Sequence, residues 1–194
     1  MFSPRRTVGR IVALSLGTVC AVAATPVTTA LAAPVAPAAA QTCFGRTATI
    51  IGQPGQSTIN GTSHDDVIVS TRGGAIINGN GGNDRICARG AVSISTTGGN
   101  DFISSLDAGT GGFNASGGGN DTITIDAGRI QAGTGNDTVT VPSGSRGVVV
   151  DTSDGDDTIR TNNGVRDEIF AGAGVDNCFV DSLDVVGNDC IIRR

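Results

Sequence analysis

Five isoleucines, Ile50, Ile59, Ile68, Ile77 and Ile86, stand nine residues apart without a miss. Two positions before them stand Ala48, Ser57, Asp66, Ala75 and Asp84, so the apolar residue returns every nine residues and the acid every eighteen. Further along, an Asp followed two residues later by a β-branched residue recurs at Asp101-Phe102-Ile103, Asp121-Thr122-Ile123, Asp137-Thr138-Val139 and Asp157-Thr158-Ile159. Asp176-Asn177-Cys178 ends the series, and the successive Asp separations are 18, 17, 20, 16, 20 and 19 residues. A period of this length marks stacked supersecondary units. Each unit holds two short strands and two turns, and one turn of the two carries the acid.

Strands that recur once per unit stack into parallel sheets at a spacing of about 4.8 Å. Two such sheets would face each other across rows of Ile and Val. Alternation in Thr122-Ile123-Thr124-Ile125 and Thr138-Val139-Thr140-Val141 turns the apolar residues inward and Thr outward. So thin a core has no room for large rings, in keeping with an aromatic content of 3%. A helical fold is excluded by the many internal Gly and β-branched residues. A collagen helix is excluded because Gly does not fall at every third position. The expected fold is all-β, a parallel β-roll or β-solenoid of six or seven coils, each of about 18 residues.

Residues 1–40 read as a secretory signal. Arg5, Arg6 and Arg10 form a basic start, Ile11 to Ala24 an apolar run, and small residues offer cleavage after Ala32 or Ala40. The run falls short of the roughly 20 residues that span a membrane, so the expectation is an extracellular, secreted protein. Residues 41–56 are assigned to an N-terminal cap, 57–178 to the repeat and 179–194 to a C-terminal cap. Caps are expected because the end coils of a solenoid otherwise expose a sheet edge. Cys43, Cys87, Cys178 and Cys190 remain after the signal, and an even count in an exported domain reads as disulfides. Zinc would need CxxC-type spacing, which is missing. The 12 residues between Cys178 and Cys190 suit a local loop over the last coil, leaving Cys43 to pair with Cys87.

Charge narrows the function. Without the three leader arginines, ten Arg oppose 18 acidic residues, and Lys, Trp and Tyr are absent. Such a surface cannot neutralise nucleic-acid phosphates, and the lack of rings argues against a drug-like or sugar-stacking pocket. It suits a cation. Carboxylates stacked about 5 Å apart repel by roughly 3 kcal/mol per pair at an effective dielectric near 20. Calcium would offset this, since it accepts six to eight carboxylate and carbonyl oxygens in loose geometry, where magnesium demands a stricter octahedron. The competing reading is that each Asp caps its turn by accepting backbone N–H groups.

The turns read Gly81-Gly82-Asn83-Asp84, Gly98-Gly99-Asn100-Asp101, Gly118-Gly119-Asn120-Asp121, Gly135-Asn136-Asp137, Gly155-Asp156-Asp157 and Gly174-Val175-Asp176. These segments resemble the Gly-Gly-x-Gly-x-Asp-x-apolar-x nonapeptides of the haemolysin-type, or repeats-in-toxin (RTX-like), calcium-binding family, over about residues 57–178. The resemblance implies a right-handed roll with Ca2+ between stacked turns. Its ligands would be the carboxylates of Asp66, Asp84, Asp101, Asp121, Asp137, Asp157 and Asp176. Backbone carbonyls of Gly81, Gly82, Gly98, Gly99, Gly118, Gly119, Gly135 and Gly155 would complete the shell. The sequence departs from the pattern where the alternate turns carry Ser57, Ala75 and Ser93, and where Thr96-Thr97 and Thr152-Ser153 replace glycines. Calcium is therefore expected on one edge. Asp107 and Asp126 fall out of register.

Other chemistry is thinly represented. His64, the single histidine, stands beside Asp65 and Asp66 in a degenerate turn and reads as a surface residue. Arg85, Arg129 and Arg160 could be drafted for a β-helical polysaccharide-active enzyme, although such chains are usually far longer. Outward Thr122, Thr124, Thr138 and Thr140 resemble the ranks of ice-binding calcium rolls, an alternative surface-binding or adhesion role. The expected protein is a monomeric calcium binder with a structural or surface-interaction role and no catalysis.

Overall fold

The computed structural model describes residues 40–193 apart from 72, 91–92 and 107–111. Residues 1–39 of the expected signal and Asp107 lie outside the described residues. Among the described residues the regular structure is entirely β, with no helix. The chain passes alternately between a nine-stranded and an eight-stranded parallel sheet, making a β-solenoid of about seven coils.

The nine-stranded sheet runs through Ile50–Ile51, Val67–Ser70, Arg85–Arg89, Phe102–Leu106, Thr122–Ile125, Thr138–Thr140, Thr158–Arg160, Asp176–Phe179 and Cys190–Arg193. The eight-stranded sheet runs through Thr58–Asn60, Ile76–Gly81, Ser93–Gly98, Phe113–Ala115, Gly128–Gln131, Val148–Asp151, Glu168–Phe170 and Val185–Val186. The nine-residue isoleucine period is the step between them. Ile50, Ile68 and Ile86 are in register on one sheet, and Ile59 and Ile77 on the other. The first row continues through Ile103, Ile123, Val139, Ile159 and Cys178. Nearly all of these side chains are fully buried, so the two rows are the core. Each buried Ile contributes roughly 2–3 kcal/mol relative to exposure.

Polar side chains interrupt these rows in places. Asn114 is in register with Ile94 and Ile130, and Ser105 with Ala88 and Ile125, so two polar side chains occupy core positions. Both residues are wholly buried, and Ser105 Oγ and both amide atoms of Asn114 find no hydrogen-bond partner.

The ends are built differently. Thr42–Cys43 and Arg46–Thr47 form an antiparallel hairpin. It packs on the outer face of the nine-stranded sheet, where Cys43 is buried against Val67 and Val69. Phe44 meets Phe102 there at 5.8 Å between ring centroids. Cys43 is bonded to Cys87 and Cys178 to Cys190, the pairing expected from spacing. The segment assigned as the C-terminal cap supplies the last strand of each sheet. Ile192 is therefore 46% exposed although its partner one coil back, Cys178, is fully buried.

Candidate functional site

The seven repeat aspartates form one continuous column inside the edge of the solenoid, each at most 7% exposed. Their Oδ1 atoms are joined by main-chain hydrogen bonds. The N–H of Asp66 donates to Asp84 at 2.9 Å, that of Asp84 to Asp101 at 2.8 Å and that of Asp101 to Asp121 at 2.8 Å. The run continues from Asp121 to Asp137 at 2.8 Å, from Asp137 to Asp157 at 2.7 Å and from Asp157 to Asp176 at 2.8 Å. Every link joins neighbouring coils, so the aspartates hold the stack together where side chains capping their own turns would not. Burial of one oxygen per carboxylate is thereby compensated.

The second oxygen is treated differently along the column. Asp66 Oδ2 accepts both the N–H and the hydroxyl of Thr62, and Asp121 Oδ2 accepts the Ser116 hydroxyl. Oδ2 of Asp84, Asp101, Asp137, Asp157 and Asp176 is buried without a donor. Burial raises Asp101 and Asp157, and Thr96 and Thr152 lie close enough to them to offset part of that rise. Neither closes a well-formed bond: Thr96 Oγ1 has no partner, and the Thr152 hydroxyl donates to the Ala171 carbonyl at 2.9 Å.

Electrostatics follow from this burial. Desolvation, reinforced by the charges of Asp101 and Asp66 and opposed by the Asp66 N–H, pushes Asp84 up to about 7. Asp137 rises to about 7 from desolvation and from the Asp121 and Asp157 charges, against the Asp121 N–H. Burial also raises Asp101, Asp121 and Asp157. Burial thus disfavours the charged form of these five carboxyl groups.

The turn glycines fix how closely the coils stack. Gly82, Gly99, Gly119, Gly135 and Gly155 all have positive φ, from 105° to 145°. A Cβ on Gly119 would stand 2.1 Å from the Gly99 carbonyl oxygen, and one on Gly135 2.1 Å from that of Gly119. Only glycine fits. Gly118 O already accepts the Gly99 N–H at 3.0 Å. Gly81 and Gly98 pair in register on the adjoining strands.

Among the described residues, no three His, Cys, Asp or Glu side chains converge to hold a metal by themselves. The donor set nonetheless fits a hard divalent cation in part. Five buried carboxylate oxygens lack a donor, and Gly carbonyls line the same turns. An ion here would take carboxylates from the column and share backbone carbonyls with their existing N–H partners.

A second ladder, absent from the sequence reading, occupies the position before each Asp. Asn83 N–H donates to Asp65 Oδ1 at 2.7 Å, Asn100 to Asn83 at 2.8 Å, Asn120 to Asn100 at 2.7 Å and Asn136 to Asn120 at 2.7 Å. Asp156 and Val175 extend it at 2.9 and 2.8 Å. The Asn of the repeated Asn-Asp dipeptide was the signal available for it.

The opposite edge holds two further aspartates that the sequence reading passed over. Val148 N–H donates to Asp167 Oδ1 at 2.7 Å, and Asp167 N–H to Asp184 Oδ1 at 3.0 Å. Asp167-Glu168-Ile169 and Asp184-Val185-Val186 obey the same spacing rule as the main column. Here the second oxygens are satisfied. Asn163 donates to Asp167, and the Thr161 hydroxyl and Asp181 N–H donate to Asp184. Desolvation and the Asp184 charge push Asp167 up to about 6. Ser93 is not the counterpart of Ala75, for the register pairs it with Ile76.

The remaining candidates are dispersed. His64 is exposed, with Nδ1 3.5 Å from the Ser63 hydroxyl. Arg85 lies 4.5 Å over the Phe102 ring and Arg160 4.2 Å over Phe179, whereas Arg129 pairs with Asp151 at 3.3 Å on the other sheet. Thr122, Thr138 and Thr158 form one outward row, and Thr124 and Thr140 a second that ends at Arg160. Asp126 is half-buried outside the column.

In comparisons with known proteins, no family model, no curated protein and no solved structure matches the chain. Fold and site define its class: a two-sheet parallel β-solenoid with a buried aspartate column along one edge.

Proposed function

We propose that the chain is a secreted, haemolysin-type calcium-binding β-roll with a structural or surface-interaction role and no catalytic activity. The carrying observation is the row of buried Oδ2 atoms on Asp84, Asp101, Asp137, Asp157 and Asp176 that have no donor. Unpaired buried carboxylates are costly, and calcium accepts this mixture of carboxylate and carbonyl oxygens. The Gly-Gly-Asn-Asp turns support the same reading. Export is supported by the basic and apolar start of the sequence, and the two disulfides are consistent with an oxidising compartment. A non-catalytic role is supported by the engagement of Arg85, Arg129 and Arg160 in separate surface contacts.

Bound calcium would stabilise the folded chain by mass action, by about 2.7 kcal/mol at a hundredfold excess over its dissociation constant. Thermal melts with calcium chloride and with a chelator test this. The midpoint is expected to rise with calcium and fall on chelation. An unchanged midpoint at millimolar calcium would count against the proposal.

A further inference from the structure

The outer faces of the two sheets differ in charge. Asp176, buried in the column, is the only carboxylate in all nine strands of the larger sheet, so no acid occupies an outward strand position there. Four arginines do: Arg85, Arg89, Arg160 and Arg193. On the smaller sheet the arginines meet carboxylates, Arg129 pairing with Asp151 and Arg166 with Glu168. After residue 40 the chain has ten Arg against 18 acidic residues, and it nonetheless keeps one sheet face clear of acid.

The arginines on that face are positioned by neutral groups. Arg85 lies over Phe102 and Arg160 over Phe179, each ring one coil on and in register with its arginine. Arg193 donates to the Asn177 amide oxygen at 3.1 Å. Stacking uses the flat face of a guanidinium and leaves its N–H edges, which match the oxygens of a carboxylate, sulfate or phosphate. Asp65 lines a shallow pocket with Arg46 of the hairpin and Arg85, so even beside the column two cations meet one acid. Arg85 and Arg160 stand four coils apart, roughly 19 Å at about 4.8 Å per coil. Between them the half-buried, outward Thr122, Thr124, Thr138 and Thr140 present hydroxyls, which both donate and accept.

We infer that this face binds a linear anionic polysaccharide lying along the solenoid, with Arg85 and Arg160 taking its acidic groups and the threonines its hydroxyls. The separation of the two arginines suits an extended polymer, because no small anion reaches both. Nucleic acid is a poorer match: a guanidinium covers each of the two rings, and the chain has no Trp or Tyr on which bases could stack. The inference gives a partner to the surface-interaction role proposed above and does not depend on calcium.

Biolayer interferometry of the full chain on polygalacturonate, dextran sulfate and neutral dextran, all in chelator, tests it. The wild type should bind the two anionic polymers and not dextran, and should lose affinity as salt is raised. Arg85→Gln and Arg160→Gln should each weaken binding about fivefold, and the double variant about 25-fold, as independent surface ion pairs do. Arg129→Gln, on the other sheet, should leave binding unchanged. Thr140→Glu, which puts a carboxylate on the face, should weaken it, with circular dichroism confirming that each variant is folded. No binding to either anionic polymer at low salt, or equal losses from Arg85→Gln and Arg129→Gln, would overturn the inference. Tighter binding to polyglutamate or to anionic lipid vesicles would overturn the polysaccharide as the partner. Because calcium is removed throughout, these failures are distinct from failure of the calcium reading, which the thermal shift tests.

Discussion

Asp121 and Asn120 are neighbours in sequence, yet their side chains hold the solenoid together in opposite directions. Asp121 Oδ1 accepts the N–H of Asp101 from the coil before, whereas Asn120 Oδ1 accepts the N–H of Asn136 from the coil after. Each turn is thus tied to both neighbours through two adjacent residues, one buried and one exposed.

The two ties should differ in strength. Asp121→Ala leaves the buried Asp101 N–H and the Ser116 hydroxyl without an acceptor, and unsatisfied buried groups cost about 1–3 kcal/mol each. Asn120→Ala frees an N–H at an exposed position, where water replaces the lost acceptor, and the loss should stay near 1 kcal/mol. Urea denaturation should order the variants as wild type, Asn120→Ala, Asp121→Ala. A reversed order would contradict the ladder as described.

Stacking distance gives a sharper contrast between glycines. Gly119 and Gly144 both have positive φ, at 122° and 85°. A Cβ on Gly119 would meet the Gly99 carbonyl, while one on Gly144 would meet nothing within 4 Å. Gly144→Ala should therefore cost roughly 1 kcal/mol, the backbone preference alone. Gly119→Ala should cost several-fold more or prevent folding, because two coils must separate. Comparable melting temperatures for the two variants would show that the coils are not so tightly stacked.

The raised carboxyl groups predict an inverted pH dependence in the absence of metal. Asp84 and Asp137 at about 7 and Asp167 at about 6 lie above their ordinary value in the unfolded chain. Between those values the folded chain binds more protons than the unfolded one. This stabilisation is complete below the unfolded pKa, about 3.9 for Asp, and is lost as pH rises through 6 to 7. In chelator, the urea midpoint should be higher at pH 5 than at pH 8. A level or rising midpoint over that interval would show that the column is not charged in the way described.

Both disulfides sit at the ends of the solenoid, where fraying begins. Closing the 12-residue loop between Cys178 and Cys190 is worth about 3 kcal/mol in the chain-entropy account. Reduction should raise amide exchange in the strands Val67–Ser70, Arg85–Arg89 and Cys190–Arg193 before it does so in Thr122–Ile125. Uniform exchange along the whole chain after reduction would refute end-capping by the disulfides.

Much of this architecture was legible because a solenoid repeats its physics. Ile50, Ile59 and Ile68 show both the strand register and the exchange between sheets, and Asp66 and Asp84 mark the loaded edge. What stayed hidden lacked repetition. The hairpin of Thr42–Cys43 and Arg46–Thr47 lies on a sheet face, and strands of two residues carry no period. Asn114 and Ser105 interrupt the apolar rows as single polar residues, and a residue that does not recur carries no period that places it in the core. Asp167 and Asp184 did obey the rule, but on the edge where Ser57 and Ala75 had suggested no acid would stand.

The central claim is that the orphaned oxygens of the aspartate column face a cation. A crystal structure of the protein grown in millimolar calcium addresses it most directly. The account predicts spherical density about 2.3–2.6 Å from Oδ2 of Asp137, with main-chain carbonyls of the adjoining turns among its other ligands. Density showing Asp137 Oδ2 in contact only with protein hydrogens, at full calcium, would contradict it.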